Sequence, residues 1–364
     1  MHQPQEIAIY IHWPFCKSKC PYCDFYKKLD CNINQDIIIT EYIDALRRYR
    51  QILPERIVKS VFFGGGTPSL IKPNNIARVI DEIVRLWPIT ENIEISLEAN
   101  PNTHYQTMFQ DLKNAGINRL SLGVQALNEA DLHFLGRTHS LATARLCLRE
   151  ITSVFDNHSA DLIYARPHQI TADWENELEE ICTYGLKHIS LYQLTIEENT
   201  VFACKGVKSL DEEAAVQMYE MTRDFLAANG YYLYEVSNFA QKGYESKHNL
   251  TYWQGGDYIG IGPSAHGRIC LNGVHYATEY PFMHTQLSPQ ERAEELLIMG
   301  LRLTNGINKA DFKKICGLDM HDFVNEQKLN FLKESGLLAE TPTHLFATRS
   351  GFLLLNQLVL ELCS

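Results

Sequence analysis

Apolar residues along this chain fall into short continuous or alternating runs, separated by longer stretches in which they recur every three or four positions. The runs at 7–12, 58–63, 93–98, 119–125, 160–164 and 188–194 read as strands, with a seventh at 231–236. The stretches at 36–53, 74–86, 105–115, 142–152, 171–184 and 211–229 read as amphipathic helices. Gly116, Gly185 and Gly230 each follow a helix and precede a strand, as helix C-caps do. Strands alternating with helices indicate parallel βαβ units. Six or seven units predict an α/β fold, a partial or complete (β/α) barrel. After about Gly273 the alternation stops. Helical patterns follow at 288–303, 309–316 and 320–335, then a strand pair at 337–340 and 344–348 and a last helix. Ser288, Pro289 and Glu291 form a helix-start signature. The expected organisation is a barrel domain over 1–273 and a smaller, winged-helix-like helical module over 285–364.

Composition narrows the function. The chain has 364 residues, 45% hydrophobic and 21% charged, with ample material for a large core. Its formal net charge is −11 and it has no long basic run, so nucleic-acid partners are not expected. A winged-helix module could bind DNA, but 285–364 carries 8 Lys and Arg against 10 Asp and Glu. A lid or partner-docking surface fits that balance better. The first residues lack the basic and apolar regions of a signal peptide, and the apolar stretch 352–363 is interrupted by Asn356, Gln357 and Glu361. A cytoplasmic location is expected.

The chemistry concentrates in 10–23, where Cys16, Cys20 and Cys23 follow the first strand with the spacing Cys-x-x-x-Cys-x-x-Cys. Three thiolates can hold a 4Fe–4S cluster with one iron left open. A zinc site would want a second cysteine pair nearby, and a disulfide framework does not suit 10 cysteines in a chain of this size. Three inert thiols clustered by chance remain an alternative. Gly64, Gly65 and Gly66 end the second strand; they could bring backbone close to a ligand or form only a tight strand exit. Cys16, Gly65, Glu98, Gln125, Asp161 and Thr195 all stand at or just past predicted strand ends, which converge on one mouth in a barrel. Cys31, Cys147, Cys182, Cys204, Cys270, Cys316 and Cys363 have no ligand spacing and read as ordinary thiols.

The cysteine motif after the first strand and Gly-Gly-Gly-Thr-Pro after the second resemble the radical S-adenosylmethionine (SAM) superfamily. The resemblance implies that SAM binds the open iron and is cleaved to a 5′-deoxyadenosyl radical. It narrows at Tyr-x-His-x-Pro-Phe-Cys (10–16), Leu-Gly-Val-Gln (122–125), Leu-Gly-Arg-Thr-His (135–139) and Asp-Leu-Ile-Tyr (161–164). These are similar to the coproporphyrinogen-oxidase branch over nearly the whole chain. Carried over, Tyr10 and Tyr22 pack near SAM, Gly65, Gly66 and Thr67 meet its methionyl group, and Glu98 faces a ribose hydroxyl. Gln125, Arg137 and Asp161 match a second SAM or substrate site. Arg137 could instead cap a helix, with Asp161 paired to it.

Two features depart from the oxidase. Phe25, preceded by Asp24, stands where the oxidase carries a further cysteine. His248-Asn249-Leu250-Thr251-Tyr252-Trp253 resembles the signature of HemW-type heme chaperones. The likeness implies heme as a ligand, His248 as its axial ligand, Tyr252 and Trp253 stacked on the porphyrin, and an apo-hemoprotein acceptor, in solution or at a membrane. Without that likeness the residues read as core packing that closes a barrel end. His266 and His275 are the next candidate ligands. The alternative function is oxygen-independent oxidation of coproporphyrinogen III; a methylthiolating enzyme would need a further cluster-binding cysteine set that is lacking. Arg166 and His168 follow Asp161-Leu-Ile-Tyr and could disturb this loop or meet a charged ligand.

Overall fold

The computed structural model describes residues 5–29 and 33–363; Cys31 lies outside them. Six strands run parallel and in chain order: β1 (Gln5–Trp13), β2 (Arg56–Gly65), β3 (Ile89–Ala99), β4 (Arg119–Gln125), β5 (Asn157–Tyr164) and β6 (His188–Gln193). The helices between them are α1 (Gln35–Ile52), α2 (Pro73–Leu86), α3 (Met108–Asn114), α4 (Leu141–Val154) and α5 (Thr171–Cys182), with α6 (Glu212–Ala228) after β6. The sheet is one face of a partial barrel. Alternate strand residues such as Val61, Phe63, Leu97, Leu120 and Leu122 join helix residues such as Leu46, Val79 and Leu148 in one buried core. The other set faces inward and is polar: Ser60, Glu94, Ser96, Arg119, Ser121, Ser159, His188 and Ser190 are all buried.

The seventh predicted strand does not extend the parallel series. It forms β7 (Tyr232–Glu235), which pairs antiparallel with β8 (Asn238–Ala240), itself antiparallel to β6. The link from 235 to 238 is too short for a crossover, so only a hairpin can form. The helix α7 (Lys247–Trp253) follows, then β9 (Tyr258–Ile261), parallel to β1. Gly273 does not end the sheet. It lies in the turn between β10 (His266–Leu271) and β11 (Val274–Glu279), and β12 (Met283–Gln286) completes an antiparallel edge. Short, partly exposed antiparallel strands carry no helical spacing to announce them, which is why the alternation was lost there.

Gly116, Gly185 and Gly230 have φ of +103°, +66° and +82°, the left-handed conformation that ends a helix. Past the sheet come α8 (Pro289–Gly300), with its Ser288–Glu291 capping box, and α9 (Lys309–Cys316). The predicted helix 320–335 is broken into Met320–Phe323 and Glu326–Glu334, because the Asn325 side chain accepts from Lys328 N and starts a new helix. Leu338–Glu340 and His344–Ala347 pair as expected, joined by Ile307–Asn308. These elements share a second apolar core. Among the described residues, no helix is long and apolar enough to cross a membrane.

Candidate functional site

The C-terminal ends of the parallel strands open onto a cavity of about 440 Å³. It gathers Cys16, Cys20, Cys23, Tyr22, Gly65, Gly66, Thr67, Glu98, Gln125, Arg137, Asp161 and Thr195. The polar positions that the sequence put at strand ends therefore meet in one place.

The cysteine loop is held at both ends. Phe15 and Cys16 pair with Lys28 and Leu29, and Lys27 Nζ donates to Cys23 O at 2.7 Å. Thr67 Oγ1 donates to Cys16 Sγ at 3.4 Å, and Arg137 Nη1 to Cys20 Sγ at 3.6 Å. All three thiols are free. Among the described residues no three His, Cys, Asp or Glu surround a single ion. A cubane cluster does not ask for that, since each thiolate takes a different iron. Three unpaired thiols on one cavity wall, with two hydrogen-bond donors aimed at sulfur, fit such a cluster. Burial raises the pKa of the free Cys16 thiol, with the Thr67 hydrogen bond opposing that rise.

Gly66 lies against the end of β1: a Cβ there would sit 2.8 Å from Phe15 O and 2.9 Å from Trp13 O. Gly65 has φ +108°, and its N–H donates to Glu98 Oε2 at 3.2 Å. These glycines let backbone line the cavity beside the thiols. Burial, followed by the neighbouring Asp161, pushes the Glu98 carboxyl up to about 8. Burial also raises Asp161, while Ser190 and Ser121 hydrogen bonds oppose it; Ser121 Oγ lies 2.9 Å from its Oδ1. Arg137 Nη2 donates to Gly123 O at 3.0 Å and Nη1 to Tyr22 Oη at 3.4 Å, so it spans β4 and the cysteine loop and caps no helix. Gln125 takes the left-handed conformation, φ +75°, at the end of β4.

Tyr192 also lines the mouth, beside Asp161 and Glu98. Its signal was the period-2 series His188, Ser190, Tyr192 on the inward face of β6. Tyr10 does not line the mouth. It lies behind Gly64, with its hydroxyl 3.1 Å from His12 Nδ1 and its ring 6.3 Å from His248. Phe25 stands on the rim, 66% exposed.

Arg166 is fully buried, ion-paired with Glu177 and, at 3.0 Å, with Asp131. Glu177 Oε2 accepts Leu127 N at 2.7 Å. The residues after Asp161-Leu-Ile-Tyr thus tie the β4 and β5 loops to α5, and Arg166 meets no open cavity. His168 is exposed at φ +66°.

The structure does not offer His248 as an open ligand. It is 1% exposed at the base of the barrel, opposite the mouth. Its Nδ1 lies 2.9 Å from Ser60 Oγ, its Nε2 is hydrogen-bonded to Tyr252 Oη, and its ring stacks on Phe62. Glu94 accepts His248 N at 3.1 Å and Lys247 N at 3.2 Å, pinning the start of α7 inside the barrel. Burial, then Lys59 and Arg119, push the imidazole down to about 3, so it is neutral. Tyr252 packs edge-on against His248 and Tyr258. Trp253 faces away, under the Arg302 guanidinium at 4.7 Å.

Three free cysteines stand beside a glycine turn at the mouth of a partial α/β barrel, an arrangement that suits a radical SAM protein. Residues 10–199 match the radical SAM superfamily and 287–354 match the HemN C-terminal domain; the chain belongs to the radical SAM superfamily, whose members carry a 4Fe–4S cluster and SAM. It is 34% identical over 388 residues to the mitochondrial radical S-adenosyl methionine domain-containing protein 1 of Bos taurus, covering 99% of this chain and 88% of that one. It is 33% identical to the heme chaperone HemW of Escherichia coli, covering 97% of each. In fold it is similar to the coproporphyrinogen III oxidase HemN of Escherichia coli, with a TM-score of 0.83 at 19% identity, over 100% of this chain and 91% of that one.

Proposed function

We propose that this chain is a heme chaperone built on a radical SAM barrel, which binds heme and passes it to an apo-hemoprotein. The observation that carries the reading is full-length similarity to a protein named as a heme chaperone, at 33% identity over 97% of both chains. The oxidase likeness is one of fold, and Phe25 replaces the cysteine that the resemblance expects of a decarboxylating enzyme.

The reading gives the mouth to the cluster and SAM. Cys16, Cys20 and Cys23 hold the cluster, whose chemistry when bound is to deliver an electron to SAM. The Gly65, Gly66 and Thr67 backbone receives the methionyl end, and Glu98 accepts from the ribose. Tyr22, Gln125, Arg137 and Asp161 form the remaining wall. Nine unpaired cysteines among the described residues suit a reducing compartment such as the cytoplasm. The acceptor, free or membrane-associated, is identified by function alone.

The test is anaerobic reconstitution of the full chain, followed by heme titration and incubation with coproporphyrinogen III. Heme should give a shifted Soret band, and the porphyrinogen should remain unconverted. Conversion at an enzymatic rate would replace this reading with the oxidase.

A further inference from the structure

The loop 16–29, which carries the three thiols, also carries four lysines, Lys17, Lys19, Lys27 and Lys28, against one acid, Asp24, in a chain whose formal net charge is −11. Lys17, Lys19 and Lys28 are exposed. Lys27 Nζ is used inside the loop, on Cys23 O, and Lys17 Nζ donates to Asn102 O at 3.2 Å. Among the described residues, the Lys19 and Lys28 ammonium groups have no hydrogen-bond or ion-pair partner. Between and beside these cations the loop exposes apolar side chains: Phe25 is 66%, Tyr26 43% and Leu29 60% accessible. Glu197 is the other exposed acid on the mouth, where Glu98 and Asp161 lie deeper and are pushed up by burial. Exposed apolar groups rimmed by polar ones mark an interaction surface. Cys20 and Cys23 are only half-buried, so this surface borders the thiols directly.

Cleavage of SAM at the cluster consumes an electron, and this chain has no evident internal source. The other described cysteines, Cys147, Cys182, Cys204, Cys270, Cys316 and Cys363, each lie on a different element. The electron therefore enters from outside, by the surface nearest the thiols. A local basic loop on an acidic chain directs an acidic partner to that loop, because the rest of the chain repels it. Redox encounters are small and transient, under about 1,200 Å² of buried surface, so a patch of a few residues is enough.

We propose that the 16–29 loop is the docking surface for a small acidic protein that carries single electrons at low potential, with Lys19 and Lys28 meeting its carboxylates and Phe25 and Leu29 packing beside its redox group. One electron leaves the carrier, which is oxidised, and reduces the cluster; no bond or proton is exchanged. This surface follows from the cysteine site and is independent of the heme reading. An anionic membrane would attract the same lysines, but the loop holds only two-residue strands and no helix to lay an apolar face on lipid, whereas it encloses the group that needs the electron.

The test is stopped-flow reduction of the anaerobically reconstituted full chain by flavodoxin hydroquinone, an acidic carrier whose blue semiquinone absorbs apart from the cluster. Four proteins are compared: wild type, Lys19→Glu/Lys28→Glu, Phe25→Ala, and Lys242→Glu/Lys314→Glu, whose lysines are exposed and do not line the mouth. At low ionic strength the second-order rate should fall about tenfold or more in Lys19→Glu/Lys28→Glu. Phe25→Ala should slow it about threefold, and the distant pair should leave it within about twofold. The wild-type rate should fall as salt rises from 0.01 to 0.1 M, where the Debye length shrinks from about 30 to about 10 Å. Dithionite should reduce the cluster to the same extent in all four. Equal rates for wild type and Lys19→Glu/Lys28→Glu at low salt, or a wild-type rate indifferent to salt, would overturn the proposal. If the charge-reversed pair loses its cluster, Lys19→Gln/Lys28→Gln and the wild-type salt series decide the same point. Sedimentation with vesicles of phosphatidylglycerol and phosphatidylcholine in equal parts, lost in the lysine pair while its reduction rate stays that of wild type, would replace the carrier by a membrane.

Discussion

Replacing Glu98 by Gln separates the binding role of the SAM site from its structural one. Burial and the nearby Asp161 push the Glu98 carboxyl up to about 8. At pH 7 the group is then about nine tenths protonated, and accepting ribose hydroxyls as a carboxylate first costs about 1.4 kcal/mol. Wild-type affinity for SAM should therefore improve about fivefold from pH 7 to 8 and about tenfold by pH 9, where it levels off. Glu98→Gln removes a charged acceptor worth about 1.5–3 kcal/mol, raising Kd by about 10–150-fold above pH 8. It should also flatten the pH dependence. The stability change has the opposite sign. A carboxyl whose folded pKa is raised binds its proton more tightly folded than unfolded, so the protein loses stability as pH rises from the ordinary carboxylate range to about 8. Glu98→Gln should accordingly melt higher than wild type at pH 8.5. Calorimetric titration of SAM into reconstituted protein at pH 6.5, 7.5 and 8.5, with melting curves at each, measures both effects. Equal SAM affinity of variant and wild type at pH 8.5 would remove Glu98 from the site.

Replacing Cys16, Cys20 and Cys23 together by alanine should abolish cluster absorption and bound iron after reconstitution; a full cluster in that variant would refute the ligand set. Gly66→Ala drives a methyl into the Phe15 and Trp13 carbonyls, an overpacking cost of about 1–3 kcal/mol. Because the strain falls where β1 enters the cysteine loop, cluster content should drop more than secondary structure, as read by iron analysis and circular dichroism. Arg166→Met leaves the Glu177 carboxylate buried without its cation and should cost about 3–5 kcal/mol in denaturant unfolding, and a loss under 1 kcal/mol would mean the pair is solvated.

The parallel half of the fold was legible because its strands are buried on both sides and separated by long amphipathic helices. The mouth was legible because chemistry-bearing residues stood at strand ends, and Cys16, Glu98, Gln125 and Asp161 do line one cavity. What escaped was anything whose role depends on which way a side chain turns. Tyr10 sits one layer below the mouth, and Tyr192 reaches it, although both lie on inward faces. Arg166 looked like a charge facing a ligand and is a buried tie between loops, because its partners Asp131 and Glu177 lie 35 and 11 residues away along distances no short motif encodes. His248 carried the strongest heme signal in the sequence, yet the contact that buries it comes from Glu94 and Ser60 on other strands.

The central claim, a chaperone that hands heme over, is tested most directly by transfer kinetics. The heme-loaded, reconstituted protein is mixed anaerobically with increasing concentrations of an apo-hemoprotein, and the acceptor's Soret band is followed in time. Direct hand-over predicts a transfer rate that rises with acceptor concentration and exceeds heme loss to solution. A rate independent of acceptor concentration, equal to spontaneous heme dissociation, would contradict it.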